Sequence, residues 1–328
     1  MKQTEIVKRA FRLTLRYPVL WIFGILVALT SGGGWPNGSN YSFDRNRDWG
    51  AMTRIPGIER VSPGAWAAIA VFICCLLLII VVVTILLQYV SRTALYRLVD
   101  EIEETGEKPS WRQGFRLGWS NRAFRLFLLE LIVGLVVGIG AIVLLALAAS
   151  PLLFLLIDSP AARWTGIGLT VALELLVMLI LLAVIIAIYV LGQFWSREIV
   201  LVDRGIGAAF AGGYRLVRER IKDVGLMWLL LFAIGFGWFL VLLPIVFLVI
   251  LVAAGLGAGV GLGVYGVTHS APLGVLTGLP VFMVITVVPL TFLKGLYTVF
   301  DSSAWTLAYR EVLHHNGQAE SLPVAAPA

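Results

Sequence analysis

Residues 65–90 read AWAAIAVFICCLLLIIVVVTILLQYV, twenty-six positions without one charged side chain. About 20 mostly apolar residues cross the hydrocarbon core of a bilayer as a helix. A helix also satisfies its own backbone polar groups where water cannot reach them. Five further runs share this character and fix the fold class. They are Pro18 to Gly33, Phe124 to Ile157 with Pro151 as a break, 165–195, a run from Val224 that carries Pro244, and 272–300 with Pro280 and Pro289. The sequence predicts an all-α, polytopic membrane helical bundle of six spans. Composition agrees: 59% of the 328 residues are hydrophobic and 13% charged, against about 45–50% and about 25% in soluble domains.

Two runs need a decision. The first is short unless its helix begins near Leu13, and the basic residues before it imitate a secretory signal. The LTSGGGWP that follows offers no small-x-small cleavage site, so the run is kept as span one. The fifth is too long for one span, and GLGAGVGLGVYG at 255–266 predicts a bend or an interfacial loop. A phosphate-binding glycine loop would need a preceding strand and a polar helix start, and both are missing.

Twenty of the 25 lysines and arginines stand before span one, between spans two and three, between spans four and five, or near the end of span six. Arg45, Arg47, Arg54, Arg60 and Arg163 fall on the other side. Basic residues collect on the cytoplasmic side, so both termini are expected there, in a cell membrane. The net charge of +6 is then a matter of topology and makes no case for nucleic acid.

The chain also repeats itself. AFRL at 10–13, GFRL at 114–117 and GYRL at 213–216 each precede a long apolar run. QYVSRTAL, QFWSREIV and VFDSSAWT close the second helix of each pair, with Ser91, Ser196 and Ser302 at intervals of 105 and 106 residues. One membrane domain, 1–313, is expected to hold three parallel helical-hairpin repeats, about 3–102, 107–205 and 206–312, ahead of a disordered tail at 314–328. An amphipathic helix precedes each hairpin. Ile6, Ala10, Leu13 and Tyr17 share one face of the first, with Lys8, Arg9, Arg12 and Arg16 opposite. Trp111, Phe115 and Trp119 mark the second, and Ile206, Phe210, Tyr214, Val217 and Ile221 the third. A basic helix with an aromatic face lies in the membrane interface. Phe11, Arg12, Phe115, Arg116, Tyr214 and Arg215 are therefore candidate lipid-headgroup anchors, and anionic headgroups the expected partners. Plain anchoring is the simpler alternative.

Three stretches carry a resemblance. QGFRLGWSNRAFRLFLLELIVG, DRGIGAAFAGGYRLVRERIKDVGLMWLL and VVPLTFLKGLYTVFDSSAWTLAYREVL resemble a group of uncharacterised bacterial six-span membrane proteins. These are distantly similar to the membrane domain attached to some glycerophosphodiester phosphodiesterases. The resemblance implies no catalytic residues, and the soluble phosphodiesterase domain has no counterpart here. Mitochondrial carriers share the three-by-two arrangement. Their proline–acid–basic signature is not met, because PLTFLK at 289–294 lacks the acid and lies in an even span.

Little else points to chemistry. Cys74 and Cys75 are adjacent on a helix, about 100° apart, and cannot pair. The three histidines, His269, His314 and His315, join no constellation for a metal, a cofactor or nucleophilic catalysis. DRNRDWG at 44–50 opens like a calcium loop, but its glycine is one position late and the closing glutamate is absent. The acidic run Asp100, Glu101, Glu103, Glu104 and Glu107 reads as a solvated helix end paired with arginines, or as a partner-binding face. Charges inside spans are costly, so Glu130, Glu174 and Lys294 form the candidate intramembrane polar site. Glu130 and Lys294 lie at matching depth, which suggests a pair. Glu174 is either protonated against a helix or lines a wet cavity.

These features describe a membrane scaffold or a transport-like module for lipid or another amphipathic solute, more than an enzyme. The alternatives are a lipid-modifying enzyme and a non-catalytic subunit of a homo- or hetero-oligomer packed through small residues such as Gly134 and Gly138. The topology makes a direct prediction. In a background lacking Cys74 and Cys75, cysteines placed at Asn46 and Gly317 label from opposite sides of the membrane. Labelling of both by an impermeant reagent in intact cells contradicts it.

Overall fold

The computed structural model describes residues 3–31, 63–157 and 159–315. Among these the regular elements are helical: α1 (Gln3–Arg16), α2 (Val19–Thr30), α3 (Pro63–Thr105), α4 (Trp111–Gly118), α5 (Asn121–Ala148), α6 (Pro160–Val200), α7 (Ile206–Glu219), α8 (Ile221–Thr268) and α9 (Ala271–His315). A 3-10 turn at Ser150–Leu156 follows α5, where Pro151 stops the α-helix. Arg45, Arg47, Arg54, Arg60, the 44–50 loop and most of the expected tail lie outside the described residues.

Five helices, α3, α5, α6, α8 and α9, are long and apolar enough to cross a bilayer. The chain is a polytopic α-helical membrane protein. The expected first span is the exception. With 12 residues, α2 reaches only about 18 Å, and it qualifies only together with α1, from which it bends by 98°. The bend is held locally: Trp21 Nε1 donates to Thr14 O at 2.7 Å, and Thr14 Oγ1 to Ala10 O at 2.9 Å.

Burial changes along the long helices. In α3 every side chain described from Trp66 to Val83 is exposed, whereas Val90 to Ile102 is largely buried. Phe194 to Leu201 at the end of α6 is buried, as is most of Val299 to Leu313 in α9. These three C-terminal ends meet and form the main core with α1 and α2. We call this the basic end. Away from it α8 and α9 stay paired, but among the described residues most of the surface of the apolar helices has no protein cover.

The three short helices surround the basic end. α4 lies on α3, α7 on α6, and α1 on α9. The repeated four-residue word sits at these contacts, and its small residue does the docking. Ala10 is fully buried. A Cβ at Gly114 would run into the Phe23 ring and sit 2.9 Å from Leu98, and one at Gly213 would meet Trp195. Leu13 and Leu216 are buried beside them, while Arg12, Arg116 and Arg215 are exposed. The apolar stripe Ile6, Ala10, Leu13 and Tyr17 therefore faces protein. Phe11, Trp111, Trp119 and Tyr214 are left on the open side.

The glycine stretch is also corrected. α8 runs unbroken through 255–266 and ends at His269, whose left-handed φ of 50° caps it. In a lipid environment no water competes for the backbone bonds of a glycine-rich helix. Gly257 and Gly261, four apart, face Gly274 and Gly278 of α9, and a Cβ at Gly274 would lie 2.7 Å from the Gly261 carbonyl oxygen. This is close packing by small residues, which membrane helices use in place of hydrophobic drive. Gly259, by contrast, looks onto open space. Gly257→Leu and Gly278→Leu are each expected to cost about 1–3 kcal/mol in thermal unfolding, and Gly259→Leu to cost much less. Equal losses at all three positions would sink this account of the hairpin.

Candidate functional site

At the basic end, polar side chains join the long helices. The second word, QFWSREIV, places Arg197 on the inner side of α6, where it is fully buried. Its guanidinium donates from Nε to Thr306 Oγ1 (3.2 Å), from Nη2 to Ser302 O (3.0 Å), and from Nη1 to both Gln193 O (2.7 Å) and Gln193 Oε1 (2.9 Å). The Tyr96 ring of α3 covers it, 4.6 Å from centroid to Cζ. One side chain thus ties α3, α6 and α9.

The next residue, Glu198, is also buried and accepts from Tyr309 OH (3.0 Å) and Arg204 Nη1 (2.8 Å). Outside this pair, Arg310 of α9 bridges Asp100 and Glu104 of α3, and Arg9 of α1 pairs with Glu103. The acidic run is thereby largely engaged by arginines. Asp203, at φ 60°, accepts from Arg122 and Arg125 at the start of α5.

The proposed intramembrane residues are not brought together. Glu130 accepts from Arg92 Nη1 (2.5 Å) and Tyr89 OH (3.0 Å) of α3. Lys294 donates to Ser31 Oγ at 3.2 Å, so the Glu130–Lys294 pair is not formed. Matching depth put the two on one level but said nothing about which helices are adjacent. Glu174 is exposed and makes no hydrogen bond or ion pair among the described residues.

Sequence reasoning missed the role of Arg197, which counted only as one more flanking cation. The signal was present. Ser91, Ser196 and Ser302 recur, and the residues after them are Arg92, Arg197 and Ser303. Arg92 meets Glu130, and Arg197 turns inward to the α9 end, which has a serine where the other copies have an arginine.

Two hollows lie at the edge of the basic end. One, of about 730 Å³, lies between α1, α8 and α9 and is lined by Phe11, Leu15, Ile234 and Phe300 together with Lys8, Arg12 and Arg16. The other, about 670 Å³, lies between α3 and the α4–α5 junction, with Tyr89, Trp119 and Phe127 in its wall and no lysine or arginine. The anchor candidates therefore differ in setting. Phe11 and Arg12 edge a hollow. Phe115 instead packs on Phe23, with ring centroids 5.1 Å apart. Tyr214, Arg215 and Arg116 are exposed on their short helices. Among the described residues no three His, Cys, Asp or Glu side chains group so as to hold a metal ion.

The chain belongs to a family of unknown function, DUF7544, whose model matches residues 7–302. The match begins in α1, ends at Ser302 beside the Arg197 site, and includes all three copies of the small-aromatic-Arg-Leu word. No curated protein and no solved structure matches the chain, so the likeness to a phosphodiesterase membrane domain gains no support from them.

Removing one member of a buried charged network costs about 3–5 kcal/mol. Arg197→Ala is expected to lose about that much stability in nanodiscs. Arg197→Lys should recover only part of it, because an ammonium cannot span Thr306, Ser302 and Gln193 as a planar fork does. A lysine variant as stable as the parent contradicts this geometry.

Proposed function

We propose that the protein is a membrane scaffold or transport-like module for lipid or another amphipathic solute, built from three parallel hairpin units with both termini cytoplasmic. The observation that carries this reading is the distribution of packing. The long helices are knotted at the basic end, most of their remaining surface is open among the described residues, and hollows lie at the edge of the knot. A hollow of that kind takes its occupant from the lipid phase. The order of short helix and two apolar helices, three times over, supports the repeat. So does the docking of each short helix on the long helix before it, with α1 closing on α9. The exposed Arg12, Arg116 and Arg215 support a preference for anionic headgroups, each basic residue near such a surface contributing about 1 kcal/mol.

A second reading, a subunit of a larger membrane assembly, is favoured by one observation. Gly134 and Gly138 lie four apart on α5 and face open space, as a docking helix would need.

Lipid that fills the hollows should stay with the protein. After gentle detergent extraction, native mass spectrometry is expected to show bound phospholipid, and exhaustive delipidation to lower the unfolding temperature by several degrees. A lipid-free protein of undiminished stability speaks against the lipid reading. A dimer or a mixed complex held through α5 and lost in Gly134→Leu supports the second.

A further inference from the structure

The two hollows differ in charge, and that difference identifies an occupant. We infer that the trough between α1, α8 and α9 seats one anionic phospholipid, its phosphate held by Lys8, Arg12 and Arg16. This rests on the lipid reading above and makes it specific.

The apolar part is continuous. The 730 Å³ hollow shares Phe11, Leu15, Ile234 and Phe300 with a second of about 260 Å³, which extends it along Trp238, Leu296 and Tyr297. Phe300 is nearly buried and forms the floor. Trp238 and Tyr297 stack at 6.2 Å and 15° and wall the far part. An acyl chain is the ligand class that fills a trough of this kind, open to lipid and apolar along its length.

The other end is cationic. Lys8, Arg12 and Arg16 repeat every four residues, so they line one edge of α1 beside Phe11 and Leu15. None of the residues lining this hollow is acidic. Lys8 and Arg12 make no ion pair or hydrogen bond among the described residues, and Arg16 lies over the ring of Tyr17. Arg9, on the same basic face, is paired with Glu103, which also borders a smaller hollow lined by Arg12 and Arg16, so the acid within reach of α1 is already engaged. α1 bends by 98° from α2 and packs on α9. An apolar trough ending under a row of open cations matches a lipid that carries a negative phosphate and no compensating ammonium. The α3/α5 hollow has the same apolar character without the cations, and it should accept chains regardless of headgroup.

The test uses the full-length protein in nanodiscs with phosphatidylglycerol or phosphatidylcholine of identical chains, and counts retained lipid by native mass spectrometry. Wild type is expected to hold one phosphatidylglycerol in preference to phosphatidylcholine. Arg12→Gln with Arg16→Gln should weaken that preference by about 25-fold, about fivefold per charge. Arg218→Gln with Lys222→Gln removes equal charge from exposed positions elsewhere and should leave the preference intact. Ile234→Trp fills the trough without touching charge, and it should abolish the single retained lipid even if the arginine variant folds poorly. Retention indifferent to headgroup, or equal loss in both charge pairs, overturns the seat and leaves the general lipid reading standing. Retention of no lipid at all by wild type overturns both.

Discussion

A guanidinium with no exposed surface holds this molecule together. Arg197 makes four hydrogen bonds and lies under an aromatic face. Left unpaired, a buried charge is among the most costly features a fold can carry. Satisfied, it fixes the helices that supply its partners, because few other arrangements meet a planar fork. Its partners come from α6 itself and from Ser302 and Thr306 of α9, with Tyr96 of α3 stacked above. The ends of α3, α6 and α9 are therefore set by one side chain, and Glu198 beside it adds Tyr309 of α9 and Arg204 of the α6–α7 connection.

The rest of the architecture follows from closure at one end. Within lipid, apolar side chains gain little from leaving one apolar medium for another, so helices associate by close backbone approach or by polar contacts. Gly257, Gly261, Gly274 and Gly278 provide the first for α8 and α9. Among the described residues α3, α5 and α6 lack such a contact over most of their apolar length, which leaves that surface to bilayer chains. The short helices complete the closed end. Each docks through a residue with little or no side chain and turns its arginine outward, which leaves a basic perimeter beside the two hollows.

The spans were legible because a run such as 65–90 has only one stable form in a bilayer. The amphipathic helices were legible as helices, but not the direction of their faces. Gly114 and Gly213 add nothing to an apolar stripe, yet they mark the contact, because only a missing Cβ lets Phe23 or Trp195 approach. The glycines of 255–266 signal a break by the habits of water-soluble chains, and they failed as a signal where water does not compete for the backbone. Among the charges, Glu130 was recognised as significant but not its partner. Arg92 sits in the flanking set that topology had already explained, and depth alone cannot say that α3 and α5 are neighbours there. Arg197 was hidden in the same way.

The central claim is that protein packs on protein at the basic end and that, the α8–α9 glycine contact apart, the apolar helices pack on lipid elsewhere. Photo-crosslinking in nanodiscs tests it most directly, using a phospholipid with a diazirine along its acyl chain and mapping adducts by mass spectrometry. The account predicts adducts on all sides of α3 between Trp66 and Val83, the adjacent Cys74 and Cys75 included, and none in 194–200 or 302–309. Adducts confined to one face of that part of α3, or found beside Arg197, would contradict it.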